Sequence, residues 1–207
     1  MPDRLIGRTT VSGTVNPGSS PGPAISFIFW FMKQKYRIRK AKTKEDVLGI
    51  IDVQAAVWLC SYEDKKKGLT KDVILEHLED EYREEKTDEV VAEYLEDENS
   101  RTWVAINEDN HVVGYISCKK HPDSETGSFV VYVLPEYQGI GLGRRLMKKG
   151  LSWLKDQKYL EIMVFKQNKK ALEMYKKMGF EDTGEEKDID IKNFEGEGTY
   201  IVMRKYN

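Results

Sequence analysis

The sequence predicts a mixed fold of α/β or α+β class in a single domain. Three observations point there. Strand-like and helix-like segments follow in the order strand, two helices, three strands, helix, strand, helix, two strands, without the regular alternation of a doubly wound sheet. The length of 207 residues suits one domain with room for a tail. A 40% hydrophobic content is enough for one core, while 33% charged residues give a well-solvated surface.

Tyr36–Arg39 alternates and reads as the first strand. Thr43 is a helix N-cap with Asp46 three positions on, and Val47, Ile50, Ile51, Ala55 and Leu59 then recur at helical spacing. Gly68 breaks that pattern. Thr70 caps a second helix with the stripe Val73, Ile74, Leu78 and Tyr82, continued by Val90, Val91, Tyr94 and Leu95. Thr102–Ile106 and His111–Ser117 flank the turn Glu108-Asp109-Asn110 and form a hairpin. Asp123–Gly127 is a second turn, leading to the apolar strand Phe129–Leu134, which Pro135 ends. A helix spans Gly141 to Asp156 with Leu142, Leu146, Met147, Leu151 and Leu154 inward, followed by a strand at Leu160–Phe165. Lys169–Met178 is a helix with Gly179 as its C-cap, Phe180 opens a strand, and Thr199–Arg204 is the last one.

Residues 1–31 differ from the rest. Val11–Ala24 is rich in Gly, Pro, Ser and Thr, and the apolar run Ile25–Phe31 is too short to span a bilayer and lacks a signal-peptide cleavage site. They read as a disordered extension, or as sequence ahead of the true start, with residues 32–207 forming the domain. The net charge of −2 offers nothing global for a nucleic acid or an anionic membrane. Cys60 and Cys118 form no C-x-x-C pair and His77, His111 and His121 no ligand-spaced cluster, which argues against a metal site. Both cysteines read as reduced, partly buried residues of a cytoplasmic protein.

The chemistry concentrates in Phe129–Leu146. An apolar strand passes through Pro135-Glu136-Tyr137 into Gln138-Gly139-Ile140-Gly141-Leu142-Gly143 and then into an amphipathic helix. Glycines remove side chains where a backbone must approach a ligand. The unpaired N–H groups and the positive dipole end of a helix suit phosphate oxygens. Arg144 and Arg145 in the first turn oppose that dipole, an arrangement that suits a bound anion. A Walker loop, G-x-x-x-x-G-K-[ST], is absent. A dinucleotide loop fails because Arg144 stands where its third glycine is required.

This pattern resembles the acetyl-coenzyme A loop of the GNAT N-acetyltransferase superfamily, Q/R-x-x-G-x-G/A. Gln138, Gly141 and Gly143 match it, and Tyr132-Val133-Leu134-Pro135-Glu136-Tyr137 matches the preceding strand and link. Asn168, Ala171 and Tyr175-Lys176-Lys177-Met178-Gly179-Phe180 match a second segment of that family, and the likeness covers Met32 to about Tyr206. It implies a mostly antiparallel central sheet flanked by helices, with a V-shaped splay between two central parallel strands, one ending at Leu134 and the other Leu160–Phe165.

The same likeness implies acetyl-coenzyme A as co-substrate. Its pantetheine arm would pair with the backbone of Val131, Tyr132 and Val133, and its pyrophosphate would rest on the N–H groups of Gln138, Gly139, Ile140, Gly141, Leu142, Gly143 and Arg144. The Val133 N–H would act as a one-donor oxyanion hole, worth about 2.7–4 kcal/mol where such a donor has been removed. Tyr175 would lie against the cofactor and protonate the leaving thiolate; its spacing with Ala171, Met174 and Met178 also suits a core stripe. Asn168 would contact the pantetheine arm as well as cap its helix. The glutamate that many members carry as general base falls near Gly127, where this chain has none. Glu125 is the candidate base, with His121 and a water chain to a distant carboxylate as alternatives.

The acceptor in such a fold lies near the first helices and the last hairpin, where Trp58 and Tyr62, at i and i+4, share a helix face. Glu76–Glu98 holds twelve acidic residues against Arg83 and Lys86, which would attract a cationic amine such as a polyamine, or simply form a solvated face. The reading is an N-acetyltransferase for a small primary amine, with no nucleic-acid or membrane partner and room for a homodimer. A protein N-terminal or lysine acetyltransferase and a non-catalytic acyl-coenzyme A sensor are the alternatives.

Overall fold

Thr43 opens the first helix through a reciprocal capping box, its hydroxyl accepting from the Asp46 N–H while Asp46 accepts from the Thr43 N–H. In the computed structural model, which describes residues 35–65, 68–82, 87–189, 191, 194 and 198–207, this helix follows a single edge strand. The expectations for residues 1–31 lie outside the described residues. The elements are β1 (Tyr36–Lys40), α1 (Lys44–Ser61), α2 (Lys71–Glu81), α3 (Thr87–Glu96), β2 (Ser100–Asn107), β3 (Val112–His121), β4 (Thr126–Val133), α4 (Leu142–Trp153), β5 (Tyr159–Phe165), α5 (Lys169–Lys177), β6 (Glu181–Asp188) and β7 (Thr199–Tyr206). The stripe expected as one helix with a continuation is two helices, α2 and α3. The apolar strand begins at Thr126 rather than Phe129, after a short 3-10 turn at Pro122–Ser124.

The seven strands among the described residues form one sheet in the order β1-β2-β3-β4-β5-β7-β6. Each neighbouring pair is antiparallel except β4–β5, which is parallel. The expected class is therefore the observed one. One face of the sheet carries α4 and α5, whose Leu142, Leu146, Met147 and Tyr175 pack against Ile116, Phe129, Val133 and Ile162. Gly150 lets α4 approach β3 closely, since a Cβ there would lie 2.5 Å from Ile116 Cδ1. The other face carries α1, α2 and α3. Two expected core residues differ: Met174 is exposed on α5, and Cys60 is exposed while Cys118 is buried. Burial pushes the Cys118 thiol up to about 12, so it is protonated and unreactive. No helix among the described residues is long and apolar enough to cross a membrane.

Asp46 holds β1 to α1. Its two oxygens accept from Arg39 Nη1 and Nη2 at 2.6 Å each, and one also accepts from the Lys42 N–H at 2.8 Å. Burial pushes this carboxyl's pKa up, but Arg39 and the backbone donors outweigh burial and hold it below the usual carboxylate range. Asp46→Ala is expected to cost about 2–3 kcal/mol, a melting-temperature loss of about 5–10 °C. Because the folded-state pKa is depressed, this contribution is complete above the unfolded value of about 3.9 and disappears as pH falls through the folded one. The gap between the melting curves of the two proteins should therefore close only below about pH 4.

Candidate active site

The parallel pair is short. β4 and β5 are in register only at Thr126–Tyr159, Gly127–Leu160 and Ser128–Glu161. Beyond Ser128 the strands separate, β4 staying on β3 as far as Val133 and β5 staying on β7 as far as Phe165. The Leu134 N–H donates to the Val113 carbonyl on β3 at 3.1 Å. Successive backbone groups along a strand face opposite edges. The N–H groups of Val133 and Val131 therefore face the splay, which gives an extended ligand a strand edge to pair with.

At the open end the chain turns into α4. Gly139 and Gly141 take the left-handed φ values of 75° and 82°, and a Cβ on Gly141 would meet nothing within 4 Å. Gly143 differs: it is helical, and its added Cβ would touch only Val133 Cγ2 at 3.8 Å. Gln138 ties the loop back to β4, its Nε2 donating to the Val133 carbonyl at 2.9 Å. The helix has no side-chain N-cap, and the N–H groups of Leu142, Gly143 and Arg144 find no acceptor among the described residues. Arg144 has no acidic partner there either, whereas Arg145 lies over the Tyr36 ring and donates to its hydroxyl at 3.1 Å. The arrangement fits a coenzyme A diphosphate: a row of free donors, a positive dipole end, a free cation and open space above Gly141.

Tyr175 projects from α5 into the core with its ring edge-on to Phe129 and Phe180. It is 4% exposed, and its hydroxyl makes no hydrogen bond to the described residues. Burial, reinforced by Tyr132, pushes its pKa well above the ordinary tyrosine value. Asn168 caps α5, its Oδ1 accepting from the Ala171 N–H at 3.1 Å.

On the opposite face of the sheet lies a cavity of about 690 Å³ between α1, α3 and strands β3 to β5. Trp58 lines it, while Tyr62 sits behind, 6% exposed and stacked on Trp58 and Phe165. The two residues meet at the Tyr132 hydroxyl, which lines the cavity and accepts from Trp58 Nε1 at 3.1 Å and bonds to the Tyr62 hydroxyl at 3.1 Å. Among the described residues of the acidic run from Glu76 to Glu98, only Glu93 reaches the cavity wall; Asp88 pairs with Lys44 and Asp97 with Lys119.

Glu125 is not brought to this assembly. It closes the 3-10 turn before β4, at the paired end of the β4–β5 junction, with its side chain 70% exposed and 3.7 Å from Lys158 Nζ. About 26 Å of strand, at ~3.3 Å per residue, separates it from Val133. His121, by contrast, lines the cavity and shares a 2.7 Å hydrogen bond with Ser128. Sequence reasoning misses the Tyr132 hydroxyl and the His121–Ser128 pair. Ser128, Val130 and Tyr132 alternate onto one face of β4, and that period is the available signal.

Residues 71–180, just over half of the chain, match the acetyltransferase (GNAT) family. The chain belongs to that family. The [ribosomal protein bS18]-alanine N-acetyltransferase of Haemophilus influenzae is 30% identical to this GNAT chain over 103 residues, which cover 48% of this chain and 68% of that protein. A mycothiol acetyltransferase of Thermomonospora curvata is 38% identical over 74 residues, 35% of this chain, and the match spans only 25% of that protein's length. The PaiA N-acetyltransferase of Thermoplasma acidophilum, solved in complex with coenzyme A, shares the fold with a TM-score of 0.62 at 22% identity, covering 84% of this chain and 99% of that one.

Proposed function

We propose that this GNAT protein transfers an acetyl group from acetyl-coenzyme A to a primary amine of a small molecule, by direct attack in a ternary complex. The observation that carries the proposal is the splay beyond Ser128, with the Val131 and Val133 N–H groups facing it and the free amides of Leu142, Gly143 and Arg144 at its mouth. Acetyl-coenzyme A brings the activated thioester. The chain's part is positional. The free amides and Arg144 hold the diphosphate, the β4 edge aligns the pantetheine arm, and Asn168 contacts that arm from α5. The Val133 N–H donates to the carbonyl oxygen as charge develops there. As the C–N bond forms and the C–S bond breaks, the Tyr175 hydroxyl donates to the departing sulfur.

The amine must enter neutral, losing the proton that a typical pKa of about 10.4 retains at neutral pH. The exposed position of Glu125 favours the water-chain alternative over that residue. Among the described residues, Glu93 and Glu161 are the carboxylates in the cavity wall, and Arg204 holds Glu161 at 2.7 Å, so we assign the far end of the water chain to Glu93. Glu93→Gln is expected to lower kcat/KM about tenfold at pH 7, with the deficit shrinking as pH approaches the amine's own pKa. A deficit constant with pH would remove Glu93 from the proton route.

The cavity has α3 as a roof, with Val90, Glu93 and Tyr94 facing inward, which suits a small acceptor better than a protein chain. Free thiol release from acetyl-coenzyme A, measured across a panel of small amines and lysine peptides, tests the assignment. Turnover on small amines supports it. Turnover on peptides alone supports a protein acetyltransferase, and coenzyme A binding without turnover on any amine supports a sensor.

A further inference from the structure

The cavity is long and its two ends differ. Tyr132, Trp58 and Tyr115 mark the end beside the open splay. Val130 and Met163, 38% and 49% exposed, form an apolar middle. His121, Ser128 and Glu161 mark the far end, where β4 and β5 are still paired. About 13 Å of strand, at ~3.3 Å per residue, separates Ser128 from Tyr132.

Charge at the far end is already compensated. Arg204 donates twice to Glu161 Oε2, at 3.1 and 2.7 Å. Lys119, which pairs with Ser128 across β3 and β4, lies 3.4 Å from Asp97. A second ammonium or a carboxylate arriving beside Glu161 and Lys119 would lose hydration there and meet charges that already have partners. A hydroxyl or amide would find the Ser128 hydroxyl and the His121 ring as hydrogen-bond partners. The exposed Val130 and Met163 would cover an apolar stem.

Resting on the acetyl transfer proposed above, we infer that the acceptor is an elongated amine with an apolar stem and a neutral hydrogen-bonding end, held by His121 and Ser128. These two residues fix acceptor length and terminal group. They lie too far from the Val133 N–H, by about 16 Å of strand at ~3.3 Å per residue, to touch the reacting nitrogen.

The test uses straight-chain primary amines of increasing methylene count whose far end carries a hydroxyl, an ammonium or a carboxylate, against the wild type, Ser128→Ala and His121→Gln. In the wild type, kcat/KM should peak at one chain length. At that length the amino alcohol should exceed both the diamine and the amino acid by about tenfold or more, near the net worth of one hydrogen bond. Each variant should raise the amino-alcohol KM by up to about tenfold, with kcat and the acetyl-coenzyme A KM unchanged, and with little effect on a short alkylamine that cannot reach the far end. Turnover with no dependence on length or terminal group, or variants that lower kcat for every acceptor alike, would overturn this inference while leaving the acetyl transfer standing. A preference for the diamine would overturn it in favour of a polyamine. Absence of turnover with every amine would sink both.

Discussion

Gly141→Glu is expected to weaken coenzyme A binding by at least about 100-fold, or roughly 2.7 kcal/mol, in a protein that remains folded. Gly141 sits at a φ of 82°, so any L side chain there carries a strain of about 1–2 kcal/mol. Space is no obstacle, because a Cβ at this position would meet nothing within 4 Å. The new carboxylate would stand beside the free amides that begin α4 and interact favourably with the helix dipole by about 0.3–1 kcal/mol, offsetting part of the strain. The melting temperature should therefore fall by only a few degrees, roughly 2–4 °C per kcal/mol. The binding loss has a different origin: the glutamate occupies the phosphate cradle with charge of the wrong sign for the ligand. Gly141→Asn separates the two effects, since asparagine tolerates the left-handed region and adds no charge. Isothermal titration with coenzyme A should rank the wild type above Gly141→Asn and that variant above Gly141→Glu. Wild-type affinity in folded Gly141→Glu would remove the cradle from the site.

Tyr175→Phe is expected to lower kcat about 100-fold while changing coenzyme A affinity no more than about twofold. Its hydroxyl makes no hydrogen bond to the described residues, so phenylalanine keeps the edge-on packing against Phe129 and Phe180 and stability should hardly change. Burial raises the tyrosine pKa far above the thiol value of about 8.5, so the hydroxyl is protonated throughout any practical assay range. Complete transfer to sulfur is then uphill, and the benefit comes from a hydrogen bond that strengthens as charge builds on the leaving atom. Tyr175 should accordingly add no limb to the pH–rate profile near neutrality. Single-turnover rates measure the effect, and an unchanged rate would leave Tyr175 a packing residue.

Much of this is legible in the sequence, because periodicity and capping act locally. Thr43 with Asp46, Thr70 and Asn168 each cap the helix expected of them. The passage from strand to glycines to helix at Phe129–Leu146 is carried by residues adjacent in sequence. What escapes depends on pairing between distant segments. Glu125 reads as a turn residue two positions before Gly127 that would share the strand face if the strand reached it, but the strand begins at Thr126, and an αL turn with a φ of 53° and an ion pair to Lys158 hold Glu125 outside. The acidic run promises a field over the acceptor, yet a helix buries only one stripe, and among its described carboxylates Glu93 alone reaches the cavity. Trp58 and Tyr62 share a helix face as expected, but both bond the hydroxyl of Tyr132, seventy-four residues after Trp58, and of the two only Trp58 lines the cavity.

A structure of the protein with coenzyme A bound tests the central claim most directly. The diphosphate oxygens should lie about 2.7–3.2 Å from backbone nitrogens between Gly139 and Arg144, with the pantetheine arm along the β4 edge at Val131 and Val133. A diphosphate held elsewhere, with the amides of Leu142, Gly143 and Arg144 left to solvent, would contradict it.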